Sequence, residues 1–393
     1  MPAPMRFSAT SSPSGCSACR AGRAEAASVQ FTFSEEQAMA AQALRELLDD
    51  VCSGADLRAL ADGAAGHGTA RWERLAAMGL PGALAPEAAG GMALTATDFV
   101  LLAEEAGRAA LPEPLVAHAG VAVPMLAELA AAAARGNVAQ ALEQAAAGAT
   151  IVIVADPCEP FSAGLDCARR VLAGAGPEQV GLFARDELSV SLQASLDPLQ
   201  PLARVGVPAH RASLLPDQPA LARALWQRAR LRATAFAAAE LLGLAARMVE
   251  IAVNYAGERR QFGRPIGSNQ AVKHQLATVQ VQLEFARPVV YAAAAMLADA
   301  CTAPPESPVP ALTEARIAQA RLAAGAAADL AARTAIQVHG AIGYSWELDL
   351  QFYAKRAWAL GVRHGERGAL ARRVQQLLLG GIIEPGPDRL FLN

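Results

Sequence analysis

Residues 257–267 read Gly-Glu-Arg-Arg-Gln-Phe-Gly-Arg-Pro-Ile-Gly, and they join two long segments that have helical patterns. Such a loop suits a phosphate-bearing ligand, because an arginine can bind phosphate through two hydrogen bonds and glycine lets the backbone come close. Phe262 offers a face on which an adenine or a ribose can pack. The simpler interpretation is an exposed turn between helices, with its arginines in water.

A second loop, residues 337–344, reads Gln-Val-His-Gly-Ala-Ile-Gly-Tyr and lies between two further helical segments. Its two glycines are three residues apart, so backbone N–H groups are available beside the side chains of Gln337 and His339. The alternative is an ordinary glycine that ends a helix, with His339 as a structural histidine.

The pattern around these loops changes from helical to strand-like and back. Ser34 and Gln37 form a capping box that begins the first helix, and helical spacing continues to about residue 147. Short β-branched or alternating runs follow at 150–154, 180–184 and 188–192. Helical patterns return and cover roughly 219–256, 268–301, 309–338 and 346–362. The sequence predicts a mainly α protein with a small, β-barrel-like domain, divided into a disordered leader (1–30), an N-terminal helical domain (31–148), the β domain (149–216) and a C-terminal four-helix bundle (217–393).

The composition excludes several classes of protein. Hydrophobic residues make up 53% of the 393 residues and aromatic residues only 5%, so small side chains, mainly alanine, fill the predicted helices. A net charge of −3 gives no attraction for nucleic acid, and neither lysine follows a glycine as a phosphate-binding P-loop requires. No uncharged run reaches the ~18 residues of a membrane helix, and residues 1–28 lack an apolar signal core. We therefore expect no membrane span and a cytoplasmic location. Cys16 and Cys19 have no second ligand pair nearby, so no metal site is predicted.

Taken together, three motifs resemble those of the acyl-CoA dehydrogenase family. They are the R-x-x-F-G of residues 259–263, the Asn269-Gln270-Ala271 that follows, and the Q-x-x-G-x-x-G of residues 337–343. The resemblance is specific over roughly 236–358 and moderate in the N-terminal region. It implies the family's helix–β–helix fold and the oxidation of an acyl-CoA to the 2-enoyl-CoA. In that reaction a carboxylate takes the α-proton, the N5 atom of FAD accepts the β-hydride, and an electron-transfer flavoprotein receives the electrons.

The resemblance also implies an oligomer, because in the family these motifs contact the ADP half of an FAD that is held mainly by a neighbouring subunit. The cofactor-binding residues that it implies here are Arg259, Gln261, Phe262, Asn269, Gln270, Gln337, Gly340 and Ala341.

The chain departs from the family in the segments that hold the flavin ring. Residues 149–215 contain neither the Thr-Glu-Pro-x-x-Gly-Ser type loop nor the Trp-Ile-Thr/Ser motif of the family, and the block is short. The nearest candidate loop, residues 156–160, lacks the expected glycines and hydroxyl groups.

The chain also departs from the family pattern at the catalytic base. His364 occupies the usual position of the glutamate, and the alternative family position corresponds to Ala233 or a close neighbour. His364 is one candidate base, since histidine titrates near neutral pH. Glu240 is another, because it lies seven residues after Ala233 on the same helical face, in an apolar stretch. Glu366 is a third acid to consider, but it lies two residues out of register with the family position, so we expect it to point elsewhere. The competing interpretation of Glu240 is a buried carboxylate paired with an arginine.

Three hypotheses remain at this point. The chain is a subunit of a heteromeric FAD-dependent acyl-CoA dehydrogenase whose partner supplies the flavin loop and the base, and the Gly-Tyr-x-Trp-Glu pattern of residues 343–347 is similar to subunits that work in such pairs. Alternatively, it is an active homo-oligomer that uses His364 or Glu240 on an unusual acyl-CoA. The third hypothesis is a non-catalytic scaffold that retains the interface and binds no flavin.

Overall fold

The computed structural model describes residues 32–63, 68–133, 136–208 and 213–383. The predicted leader and its cysteine pair lie outside these residues. Eleven α-helices occur in the described part of the chain: α1 (Glu35–Val51), α2 (Gly54–Ala61), α3 (Thr69–Ala77), α4 (Ala96–Arg108), α5 (Val123–Ala133), α6 (Gly136–Ala146), α7 (Pro219–Glu258), α8 (Gln270–Thr302), α9 (Ala311–His339), α10 (Leu350–Val362) and α11 (Arg367–Leu379). The strands are β1 (Val152–Ala155), β2 (Ser162–Ala163), β3 (Arg170–Ala173), β4 (Gly181–Ala184), β5 (Ser189–Gln193), β6 (Leu202–Gly206), β7 (Arg260–Gln261) and β8 (Arg264–Pro265).

The predicted fold class is confirmed, with α-helices on either side of a small β region. The capping box at the start of α1 also forms, since the Gln37 backbone N–H donates to Ser34 Oγ and the Gln37 side chain accepts from the Ser34 N–H. Helices α7 to α10 match the four predicted C-terminal helices within a few residues. The prediction missed α11, which packs against α9 and is amphipathic only over a short span.

Helix α7 is the central element of the helical core. Its 40 residues give a length of about 60 Å at 1.5 Å per residue, and apolar side chains are buried on most of its circumference. It crosses α4 at close range, where Gly107 meets the backbone of Glu240 and Gly243 meets the backbone of Glu104. A Cβ atom at either glycine would overlap a carbonyl oxygen. The two glycines therefore fix how close α4 and α7 can come.

The β region consists of two small sheets that share one apolar core. In the first sheet β3 is central, parallel to β1 and antiparallel to β4; in the second, β6 pairs antiparallel with β2 and β5. The predicted runs correspond to β1, β4 and β5, whereas β2, β3 and β6 were not predicted. These three strands are short or carry arginine, so they lack the alternating pattern that identifies a strand.

His118 joins the N-terminal helices to the β region. Its Nδ1 accepts a hydrogen bond of 3.0 Å from the Val152 N–H, and its Nε2 lies 3.1 Å from the Ala145 carbonyl oxygen. Burial lowers the pKa of His118 to about 4, so the ring stays neutral and keeps both contacts near neutral pH. None of the described helices is long and apolar enough to cross a membrane.

Candidate functional site

The R-x-x-F-G motif folds into a two-residue hairpin formed by β7 and β8. Gln261 pairs with Arg264 across the turn, and the two central residues both have positive φ, +52° at Phe262 and +81° at Gly263. Glycine suits such a position, whereas an aromatic residue there is strained. Phe262 is 99% exposed, so no contact with the described residues offsets the strain. A strained and fully exposed aromatic side chain indicates a binding surface.

The second motif lies beside this hairpin. Tyr255, near the end of α7, stacks on His339 at the end of α9 with ring centroids 4.2 Å apart and an interplanar angle of 24°. The His339 Nδ1 lies 2.7 Å from the Ala335 carbonyl oxygen, which fixes the ring on its own helix. Gly340 then ends α9 with a φ of +64°, and the turn of residues 340–344 follows. The stack therefore brings the two predicted motifs to the same end of the helical core.

Most of the predicted cofactor-binding residues are on the surface at this end of the core. Asn269 is the exception, because it is half-buried and accepts a 2.7 Å hydrogen bond from Arg264 Nη2. The exposed ones are Arg259, Gln261, Phe262, Gln270, Gln337, Gly340 and Ala341. We call this set of eight residues the hairpin surface.

The hairpin surface has the chemistry that a pyrophosphate requires. Helix α8 begins at Gln270, beside the hairpin, and the N-terminus of a 33-residue helix attracts anions through its dipole and its free N–H groups. Arg259 adds an exposed positive charge next to it. These residues fit the ADP half of FAD, whose pyrophosphate is anionic and whose adenine could pack against Phe262.

The two candidate base positions lie elsewhere, in a cavity of about 770 Å³ between the β region and the helices. Ala233, Glu240 and His364 all line this cavity. The Thr234 hydroxyl donates a 3.2 Å hydrogen bond to the His364 carbonyl, so the loop after α10 is held against α7. The two family positions for the base and Glu240 therefore lie around one cavity.

Glu240 has an unusual environment for a carboxylate. Burial raises its pKa to about 7, although the positive charges of Arg356, Arg363 and Arg321 partly oppose the rise. Part of the side chain faces the cavity, and among the described residues no direct ion pair or hydrogen bond to its carboxylate is formed. The alternative of a simple carboxylate–arginine pair is therefore not what the structure contains.

His364 is less suited to accept a proton. Burial holds its pKa well below the usual value, and the nearby charges of Arg363 and Arg321 lower it further. Arg363 Nη2 lies 3.4 Å from His364 Nε2, which fits a neutral ring that accepts at this nitrogen. Its φ of +54° places its backbone in the left-handed region, which is uncommon for a residue other than glycine.

The sequence analysis missed three arginines near Glu240. Arg356 forms a buried ion pair with Asp197 and donates to the Leu111 carbonyl at 3.0 Å, while Arg321 donates to the carbonyls of Leu360 and Arg363. The sequence offered no clear signal for them, because α9 also contains Arg316 and Arg333, and Lys355 directly precedes Arg356 in α10.

The hairpin surface and the base positions are separate within one chain. Glu240 and Arg259 are 19 residues apart on α7, or about 28 Å along the helix axis at 1.5 Å per residue. The chain thus carries two candidate functional regions, one exposed and one enclosed.

Comparisons with known proteins match both helical regions of the chain to one family. Residues 34–148 match the profile "Acyl-CoA dehydrogenase, N-terminal domain" and residues 224–378 match "Acyl-CoA dehydrogenase, C-terminal domain". The chain is similar to "Acyl-CoA dehydrogenase IpdE2" of Mycobacterium tuberculosis, with 35% identity over 83% of this chain and 92% of the relative.

Two solved structures share the fold at low sequence identity. One is the ChsE4-ChsE5 complex from Mycobacterium tuberculosis, with a TM-score of 0.77 and 21% identity over 91% of this chain and 100% of that chain. The other is PigA with FAD and proline, with a TM-score of 0.72 and 19% identity over 89% of this chain and 99% of that chain. Given the extent of the match to IpdE2, the two domain profiles and the shared fold, this chain belongs to the acyl-CoA dehydrogenase family of FAD-dependent oxidoreductases.

Proposed function

We propose that this chain is one subunit of a heteromeric acyl-CoA dehydrogenase. In that enzyme its hairpin surface binds the ADP half of an FAD whose flavin ring lies in the neighbouring chain. The observation that carries the proposal is the Tyr255–His339 stack, which joins two motifs distant in sequence into one exposed surface. A complete site within one chain would be expected to enclose these residues. The ChsE4-ChsE5 complex, in which a chain of this fold occurs in a complex named for two proteins, supports the heteromeric arrangement.

Each part of the hairpin surface has a distinct role in this proposal. Arg259 and the N-terminus of α8 neutralise the pyrophosphate, and Phe262 packs against the adenine. Gln337 and the backbone at Gly340 supply further hydrogen-bonding groups. The reaction removes a proton from the α-carbon and a hydride from the β-carbon of the thioester, and bound FAD supplies the hydride acceptor. We propose an electron-transfer flavoprotein as the protein that then takes the electrons.

The base comes from the partner subunit in this arrangement. Ala233 has no group that accepts a proton, and the lowered pKa of His364 makes its ring a weak base. Neither family position in this chain therefore offers the carboxylate that the reaction uses. The partner's own carboxylate would act on an acyl-CoA bound beside the shared FAD.

One observation favours a second candidate, in which this chain catalyses the reaction in its own cavity. The pKa of Glu240 is raised to about 7, near the value at which a general base works best at neutral pH, and its carboxylate faces the cavity without a direct partner among the described residues. Glu240 lies two helical turns from Ala233, so the acyl-CoA would have to bind in a shifted position.

Purification with and without a partner tests the proposal. We expect the chain alone to be colourless and to become yellow when it is co-expressed with an acyl-CoA dehydrogenase-like subunit. Arg259→Ala should remove a charge-assisted contact of about 1.5–3 kcal/mol, which corresponds to a roughly 10–150-fold weaker affinity for FAD. Arg333→Ala is the matched control, because Arg333 is an exposed arginine of α9 that pairs only with Asp329 among the described residues.

The outcomes separate the hypotheses. A yellow homo-oligomer whose turnover is abolished by Glu240→Gln would favour the second candidate. A complex that never contains flavin would favour the non-catalytic scaffold. Equal flavin content per protein in the Arg259→Ala and Arg333→Ala complexes would show that the hairpin surface is not a cofactor contact.

A further inference from the structure

The cavity requires an explanation of its own, because the hairpin surface does not use it. Its volume of about 770 Å³ lies within the range of small-molecule sites, which span about 300–1,000 Å³. It extends along α7 from Ala220 to Glu240, a distance of about 30 Å at the helical rise of 1.5 Å per residue. A cavity of this length and volume suits an elongated ligand.

We propose that this cavity binds an elongated, apolar acyl group that carries a hydroxyl or carbonyl oxygen, and that Glu240 and Arg363 recognise that oxygen. The inference goes beyond the proposed function, because it assigns a ligand to this chain's own cavity whether or not the chain also catalyses. The acyl group is expected as its CoA thioester, the substrate class of the family.

The walls of the cavity are suited to a hydrocarbon body. Small and branched apolar side chains from the N-terminal helices, the β region, α7 and α9 line it, among them Leu111, Val116, Ile153, Leu231, Ile317 and Leu360. Two arginines that line the cavity away from Glu240 are already paired: Arg373 donates to both carboxylate oxygens of Glu314 at 2.8 Å, and Arg223 donates to Glu178. Paired charges of this kind leave little hydrogen-bonding capacity for a ligand.

The polar groups near Glu240 are different, because they are incompletely satisfied. Arg363 makes two contacts, to Gln200 Oε1 and to His364 Nε2, each 3.4 Å long and so beyond the usual range for a hydrogen bond. The Glu240 carboxylate attracts Arg363 electrostatically but forms no direct ion pair with it. Buried Nε of Arg321 and buried Nη2 of Arg356 also lack partners among the described residues. A donor and an acceptor of opposite charge thus remain available in the same part of the cavity.

The charges of Glu240 and Arg363 decide which chemical group of a ligand fits beside them. A plain hydrocarbon would displace water from Glu240 and Arg363 and would offer neither group a hydrogen bond in return, which is costly. A carboxylate on the ligand would meet the negative charge of Glu240. A hydroxyl group can donate to Glu240 and accept from Arg363, and a carbonyl oxygen can accept from Arg363 or from protonated Glu240. A neutral oxygen is therefore the group that the pair selects.

Binding measurements on the full chain, free and in its complex, test the proposal with two thioesters of equal length. The probes are ω-hydroxydodecanoyl-CoA and dodecanoyl-CoA, and calorimetry measures the dissociation constant of each without any need for turnover. We expect the hydroxylated thioester to bind at least about 10-fold more tightly, as one additional hydrogen bond to a charged group implies. Glu240→Leu should abolish this preference, while Glu240→Gln, which keeps an acceptor oxygen, should retain part of it.

Glu314→Gln is the matched control, because Glu314 lines the same cavity but is already paired with Arg373. It should retain the full preference of the wild-type chain. Circular dichroism confirms that each variant is folded before its binding is measured. Equal affinity for the two thioesters, an unchanged preference in Glu240→Leu, or binding of neither thioester by the folded chain would overturn the proposal. None of these outcomes depends on flavin content, so failure here is distinguishable from failure of the proposed function.

Discussion

Replacement of Glu240 by glutamine should change how the stability of this protein depends on pH. In the unfolded chain this carboxyl group has its ordinary pKa of 4.5, whereas burial raises the pKa to about 7 in the folded protein. The folded state therefore binds more protons than the unfolded state between these two values. Stability must then fall as pH rises through this window, because ionised Glu240 is less favourable in the fold than in water.

The structure gives an upper limit for the effect. A rise in pKa from 4.5 to about 7 corresponds to about 3 kcal/mol, since each pH unit is worth roughly 1.4 kcal/mol. Glu240 faces a cavity that can admit water, and water lowers the cost of the charge, so we expect about 1–3 kcal/mol. Glu240→Gln removes the charge, and it should be more stable than the wild type by this amount at pH 8. At pH 4.5 the pH-dependent difference should nearly vanish.

Urea denaturation of both proteins at pH 4.5 and pH 8 measures this difference. The two proteins must be compared at the same pH, because the effect of Glu240 on how stability changes with pH is opposed by that of the buried His118. Its pKa is lowered to about 4, so its contribution to stability is lost as pH falls below the ordinary histidine value of 6.5. Glu314→Gln serves as a control for loss of a carboxylate that already has an arginine partner. If the difference in unfolding free energy between Glu240→Gln and wild type is the same at both pH values, the argument from burial is wrong.

Four other substitutions test packing, charge pairing and the hairpin surface. Glu128→Ala would leave two buried arginines without their shared carboxylate, and we expect a loss of about 3–5 kcal/mol in unfolding free energy; a loss below about 1 kcal/mol would contradict the ion-pair network. Gly243→Ala should lower the free energy of unfolding by about 1–3 kcal/mol, since its Cβ would overlap the backbone of α4. Gly257→Ala, at an open helical position, should instead stabilise the chain by about 0.5–1 kcal/mol in the same urea titrations. Phe262→Gly should leave stability unchanged or slightly higher, because it removes a strained φ and a fully exposed side chain, yet it should weaken FAD binding in a titration of the complex.

Local sequence patterns identified most of the architecture. The capping box of Ser34 and Gln37, the long helical patterns and the strand-like run that becomes β1 each depend on residues close together in the chain. Such patterns follow from backbone geometry and from the burial of one face, so they can be recognised without knowledge of distant contacts. The motifs at residues 259–263 and 337–343 also carried the family resemblance, because their glycines and arginines are close together along the chain.

The environment of each candidate base depended on the tertiary structure. Glu240 was identified from the sequence as an acid in an apolar stretch, but Arg363, which lies 123 residues further along the chain, could not be connected to it by any local pattern. The low pKa of His364 likewise results from burial and from two arginines, one of which belongs to another helix. A pKa is set by the groups and the solvent around a side chain in space, and local sequence does not define that surrounding.

By itself, the sequence determined the change from helices to a short β region and back to long helices, the two motifs and the absence of a carboxylate at either family base position. Only the tertiary structure decided that Tyr255 and His339 stack, that both motifs form one exposed surface, and that Glu240 faces a cavity without a direct ion pair. The physical reason is how far apart along the chain the interacting residues lie. Helix and strand patterns arise from residues a few positions apart, whereas stacking, burial and charge balance are set by residues that only folding brings together.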